Sequence, residues 1–89
     1  VNITKVTINK LNNDYKIQNN INKNTLAILD LVINHDIIIT GIKLMNGKKG
    51  KYLVFPEYNE TRYIAFPIKE KTRLQILDSV LEEYNKSGD

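Results

Sequence analysis

No cysteine occurs in the 89 residues, and histidine occurs once. Disulfides, thiolate nucleophiles and cysteine-based zinc sites are therefore excluded, and the composition fits a reducing compartment. No apolar run approaches the roughly 20 residues of a membrane-spanning helix. No charged-then-apolar leader opens the chain. The expectation is a soluble, cytoplasmic protein with no membrane partner. Proline is confined to Pro56 and Pro67, where it stops strands rather than interrupting them.

Charge of either sign is not dominant. Thirteen basic residues face ten acidic ones, for a net charge of +3 and a pI near 9.2. That balance only touches the range of dedicated nucleic-acid binders. The abundance of Asn, Lys and Ile is also the bias of an A/T-rich coding sequence, which by itself accounts for some lysines. A chain of 89 residues makes one domain. It buries about 60–65% of its unfolded surface, a deficit that small domains offset by oligomerising.

What is present is mostly β-patterned. Residues 3–11 alternate, with Val6 and Ile8 on one side and Lys5, Thr7 and Asn9 on the other. Asn12, Asn13 and Asp14 make a turn. Residues 15–24 are polar and asparagine-rich, and the expectation there is a mobile loop. Residues 25–33 make a second strand, with Ala27, Leu29, Leu31 and Ile33 on one face and Leu26, Ile28 and Val32, interrupted by Asp30, on the other. A turn at 34–36 leads to a strand at 37–45. There Ile38, Ile42 and Leu44 point one way and Ile37, Ile39 and Met45 the other, with Gly41 marking a bulge or close approach. Asn46-Gly47 and Gly50 supply the positive φ of a hairpin. The returning strand, 52–55, sets Tyr52 and Val54 against Leu53 and Phe55. A polar loop at 57–61 and a short strand at 62–65 follow.

The C-terminal stretch is helical over 70–86. Leu74, Leu77, Leu81 and Tyr84 recur at spacings of three and four beside Ile76 and Val80. Glu70 and Lys86 sit at the ends the helix dipole favours, and Gly88 is a stop signal. The fold class is α+β: an antiparallel meander of four to five strands with the C-terminal helix packed on it. Residues 37–55 form the middle of the structure in this reading. Their strands are apolar on both faces, and one helix covers only one. A second copy covers the other, so a homodimer is expected.

Catalytic patterns are missing. His35-Asp36 is the only His–acid pair and reads as a solvated turn, and Asp78, Glu82 and Glu83 read as the wet face of the helix. Zincin, nucleophile-elbow and phosphate-loop motifs are absent. The expectation is no enzyme, no metal, no cofactor and no small-molecule substrate. Basic residues fall in two clusters: Lys48, Lys49 and Lys51 at the hairpin tip, with Lys43 alongside, and Lys69, Lys71 and Arg73 at the helix start, with Arg62 before them. Both clusters suit phosphates, the second through helix N–H groups as well. Lysines also keep hairpin tips solvated.

Three linked segments resemble a known family. They are GIKLMNGKKGKYLVFP, RYIAFPI and TRLQILDSVLEEY. The stage V sporulation protein G (SpoVG) family of septation regulators carries a similar strand–Asn-Gly-x-x-Gly–strand ending in Pro56, then Arg62 to Ile68, then a helix opening with Thr72-Arg73 and closing at Glu83-Tyr84. The resemblance implies a single SpoVG-like domain over residues 1–89. It also implies a homodimer and a small regulator of gene expression in sporulation and septation that binds DNA and RNA. Arg62 and Arg73 match basic positions of the motifs. Lys69 and Lys71 join them by proximity, and Lys48, Lys49 and Lys51 by charge. The chain departs from the family in a short acidic loop at 57–61, which lacks a Ser-Lys-Arg start, and in a longer segment at 15–24. The alternative function is a protein-interaction module of the same fold without direct nucleic-acid binding.

Overall fold

A computed structural model describes residues 1–59 and 62–86. In chain order the elements are β1 (Ile3–Lys10), α1 (Asn13–Gln18), β2 (Thr25–Ile33), β3 (Ile37–Gly47), β4 (Gly50–Val54), β5 (Glu57–Asn59), β6 (Arg62–Tyr63) and α2 (Glu70–Lys86). β1 to β4 form an antiparallel meander, and β5 and β6 form a separate two-stranded pair. The α+β class is as expected. The loop expected at 57–61 begins instead as β5. Gly88 and residues 60–61 lie outside the described residues.

The alternation of β2 is the clearest determinant of the core. Ala27, Leu29 and Leu31 are fully buried, joined by Ile42, Leu44 and Phe55 and by Ile76 and Val80 of α2. The helix lies mainly over β1. Ile76 and Val80, one turn apart, are the centre of its stripe, whereas Leu74 is largely exposed. The central strands are β2 and β3, and the β3–β4 hairpin ends at an edge. Only the first arm of the hairpin is thus in the middle of the sheet: β3 lies between β2 and β4, and β4 is an edge.

Register shifts overturn the expected faces of β3. Leu29 pairs with Ile42 and Leu31 with Ile39, so β3 carries one extra residue at the Thr40–Gly41 step. That bulge puts Ile39, Ile42 and Leu44 on the helix side and Ile38 on the other, since one extra residue inverts the side on which every later residue falls. Gly41 has φ +77°, and a Cβ there would meet nothing within 4 Å. The constraint is backbone conformation alone. Gly41→Val therefore lowers stability by about 1–3 kcal/mol. Gly41→Asn costs less, because Asn visits the left-handed region more readily. Urea midpoints of Gly41→Asn and Gly41→Ala separate this cause from crowding: the larger Asn should be the milder substitution, whereas crowding would make the smaller Ala milder.

The hairpin turn falls within the expected 46–50 connection but is tighter than expected. Asn46 pairs with Lys51 and Gly47 with Gly50, leaving Lys48-Lys49 as the turn. Gly47 does not supply a positive φ. It is small because a Cβ there would come within 2.8 Å of the Tyr52 ring, and Gly50, at φ +128°, takes the unusual conformation.

Residues 13–18 are a helix rather than a mobile loop, and the asparagines are the reason. The Asn12 side chain accepts the Tyr15 N–H at 2.8 Å, an N-cap. At the other end Asn20 adopts φ +55°, its N–H reaching Ile17 O and the Ile21 N–H reaching Lys16 O. This is the two-bond termination of a helix by a left-handed residue. Lys16 is buried, with Nζ donating to Lys23 O at 2.9 Å. The connection into β2 then lies against Thr25 and Met45, on the face of the sheet opposite α2. The chain therefore closes one end of its own second face, contrary to the expectation that only a second copy covers it. Much of the rest of that face is polar, with Lys5, Thr7, Asn9, Asp30 and Lys43 among its side chains.

Candidate nucleic-acid interface

The seven candidate cations fall at two ends of the sheet. Lys48 and Lys49 are the turn itself, and Lys51 follows on β4; all three are exposed. Lys43, also exposed, lies between Ile28 and Val54 on the face without the long helix. Neither these lysines nor Lys43 have an acidic partner among the described residues, where both ion pairs are within α2. A short turn with a glycine on each side projects these charges into solvent, where phosphates meet no steric barrier.

Lys69, Lys71 and Arg73 lie at the other end. The first turn of α2 borders a hollow formed with Ile33, Ile39 and Phe55 through Thr72 and Ile76. From Ile39 to the turn, β3 advances about 25 Å at roughly 3.4 Å per residue. The two clusters therefore do not merge within one protomer. Arg73 is half-buried and its Nη2 donates to Glu70 Oε1 at 3.4 Å, so its charge is partly answered by its own helix. Arg62 is exposed on β6 and begins the segment leading to α2, in which the Ile64 N–H bonds Pro56 O at 2.8 Å. Of the two arginines that the motifs single out, Arg73 is paired within its own helix, whereas no ion pair among the described residues involves the lysines at the tip.

His35 and Asp36 are exposed in the β2–β3 turn, where the His35 N–H donates to Thr4 Oγ1 at 3.0 Å. Among the described residues no group of three His, Asp or Glu gathers to hold a metal ion.

Apolar side chains are exposed at the end away from the tip. Ile38 and Ile64 border one hollow with Pro56 and Ala65. Phe66 borders the next and packs edge-on against Phe55, with ring centroids 5.9 Å apart. Ile64 is 70% exposed and Ile68 93%. The sequence pattern does not isolate this patch: the strand expected at 62–65 ends at Tyr63, and Ile64, Phe66 and Ile68 follow it outside any strand. No described helix is long and apolar enough to cross a membrane.

Fold and surface together define a small sheet-and-helix protein with a cationic hairpin at one end and an apolar patch at the other. The model of the SpoVG family matches residues 1–86, and the chain belongs to that family. Its relatives include proteins named "Putative septation protein SpoVG" from Bacillus velezensis and Bacillus licheniformis. Each is 30% identical over 91 residues, spanning 98% of this chain and 86% of the relative. The protein of that name from Bacillus subtilis is 29% identical over the same shares.

Proposed function

We propose that the protein is a dimeric nucleic-acid-binding regulator with a role in septation, contacting DNA or RNA through Lys48, Lys49, Lys51 and Lys43. The observation that carries this reading is the projecting turn with no carboxylate near enough to pair with its lysines among the described residues. The names of the relatives support the septation role. Fluorescence anisotropy with labelled duplex and single-stranded oligonucleotides, from 50 to 200 mM salt, tests it. Affinity should fall steeply with salt, because bound cations displace counterions. No binding at 50 mM, or a flat salt response, would overturn it.

The second copy docks on the patch around Ile38, Ile64 and Phe66. An isologous contact needs one surface complementary to itself, which an uncharged apolar patch provides. Ile64→Glu should shift sedimentation from dimer to monomer at micromolar concentration while the far-ultraviolet spectrum is kept. Pairing there carries two cationic turns on one dimer. The same patch favours the second reading, a protein-interaction module. It would be the better account if the protein retained no nucleic acid yet captured one protein partner reproducibly.

The arginines are expected to matter less than the turn. Arg62→Ala with Arg73→Ala should weaken binding by at most about tenfold at 0.1 M salt, since Arg73 already has Glu70 as a partner. A larger loss, measured with the dimer intact, would place the principal contact at the helix end.

A further inference from the structure

On the face of the sheet opposite α2, strands β2 to β4 and the α1–β2 connection enclose a hollow of about 290 Å³, open on one side. Its floor is apolar, made by Ile28, Met45 and Val54, and its rim carries Asn20, Asn22 and Lys43. We propose that this hollow holds an unpaired base of a single-stranded nucleic acid. The inference rests on the nucleic-acid reading above and narrows it from a charged surface to a strand with exposed bases.

The volume lies at the lower limit of small-ligand sites, roughly 300–1,000 Å³, which is room for one flat ring. The chemistry of the walls is two-sided in the way a base is. Ile28 and Val54 flank Lys43 across neighbouring strands, so a ring laid on the aliphatic floor has an ammonium beside it for its phosphate. Asn20 is held in place by the left-handed end of α1, and its side-chain amide has no partner among the described residues. The Asn22 carboxamide oxygen accepts the Asn24 N–H at 2.8 Å, leaving its NH2 free to donate to a base carbonyl or ring nitrogen. An inorganic anion has no use for the apolar floor, and a hydrocarbon none for the amides.

An aromatic surface lies next to this site. Met45 pairs directly with Tyr52 on β4. The Tyr52 ring rests over Gly47 at the base of the lysine turn and is 44% exposed. A neighbouring base stacks on that ring while Lys48 and Lys49 take the adjoining phosphates. Stacking of this kind tolerates any base, because every base has a π-face. A duplex hides its base faces in the stack and its Watson–Crick edges in pairing, so it cannot use either surface.

The test compares three labelled ligands by anisotropy at one salt concentration: a single-stranded oligonucleotide, the same strand with abasic sites throughout, and its duplex. Phosphates are common to all three. The expected result is that the base-bearing strand binds about tenfold or more tightly than the abasic one, and more tightly than the duplex. Asn20→Gly keeps the left-handed turn and removes the amide. Together with Tyr52→Ala it should remove that preference and leave abasic binding unchanged. Equal affinity for base-bearing and abasic strands, or a preference for duplex, would overturn the base site while leaving nucleic-acid binding in place. Failure of all three to bind overturns the parent reading, and the base site with it.

Discussion

Alanine at Lys48, Lys49 and Lys51 together should lower the slope of log affinity against log salt by about two to three units, and affinity at 0.1 M salt on the order of 100-fold. Each phosphate contact releases counterions, so removing three cations removes three increments of salt dependence. The thermal midpoint should hardly move, because exposed side chains of a turn contribute little to stability. The measurement is anisotropy at several salt concentrations on protein whose folding is checked by circular dichroism. An unchanged slope in this variant, with the slope lost instead in Lys69→Ala/Lys71→Ala, would move the contact to the start of α2. Glu57 lies away from the turn in the fold, beside Gly41 and Pro56. That carboxylate therefore does not neutralise the lysine turn.

The largest stability effect is expected at Leu29. It is 1% exposed, lies between Ile8 on β1 and Ile42 on β3, and belongs to the cluster closed by Ile76 and Val80. Leu29→Ala removes buried methyl groups from a site with rigid neighbours on both sides and should cost about 2–5 kcal/mol. At roughly 4–8 °C per kcal/mol for a domain of this size, the melting midpoint falls by tens of degrees or folding is lost. Ile17→Ala is the comparison: its side chain is 78% exposed on α1, so stability should change by less than about 0.5 kcal/mol. Both should be measured at several protein concentrations, because association stabilises the folded state by mass action. A loss below 1 kcal/mol for Leu29→Ala would mean that β2 is not the central strand of the core.

Much of this architecture is written in local patterns. The period-two alternation of β1 and β2 selects a dry face that the fold uses unchanged: Val6 and Ile8 meet Leu31 and Leu29 as direct partners. The helix stripe is legible for the same reason, although its centre shifts to Ile76 and Val80. The cationic residues are equally legible as a list. Their grouping is not, because Lys48 and Lys69 are assigned to opposite ends by the direction in which β3 and the segment before α2 run. The base-sized hollow escapes sequence reading altogether. Its walls come from the α1–β2 connection, β2, β3 and β4, and Asn20 and Asn22 read there as loop composition rather than as a cap and a rim.

The amino-acid order alone determined the α+β class, the main strands and closing helix, and membership of a family marked by three motifs. Tertiary structure alone decided which residues share a face, how tightly the hairpin turns and which surface stays open. The physical reason is that alternation is a local property, whereas one inserted residue at Thr40–Gly41 reverses every later side chain. Such an insertion is settled only when β2 and β3 pair. In the same way, Gly47 is small on account of the Tyr52 ring, a neighbour that exists only after the hairpin has closed.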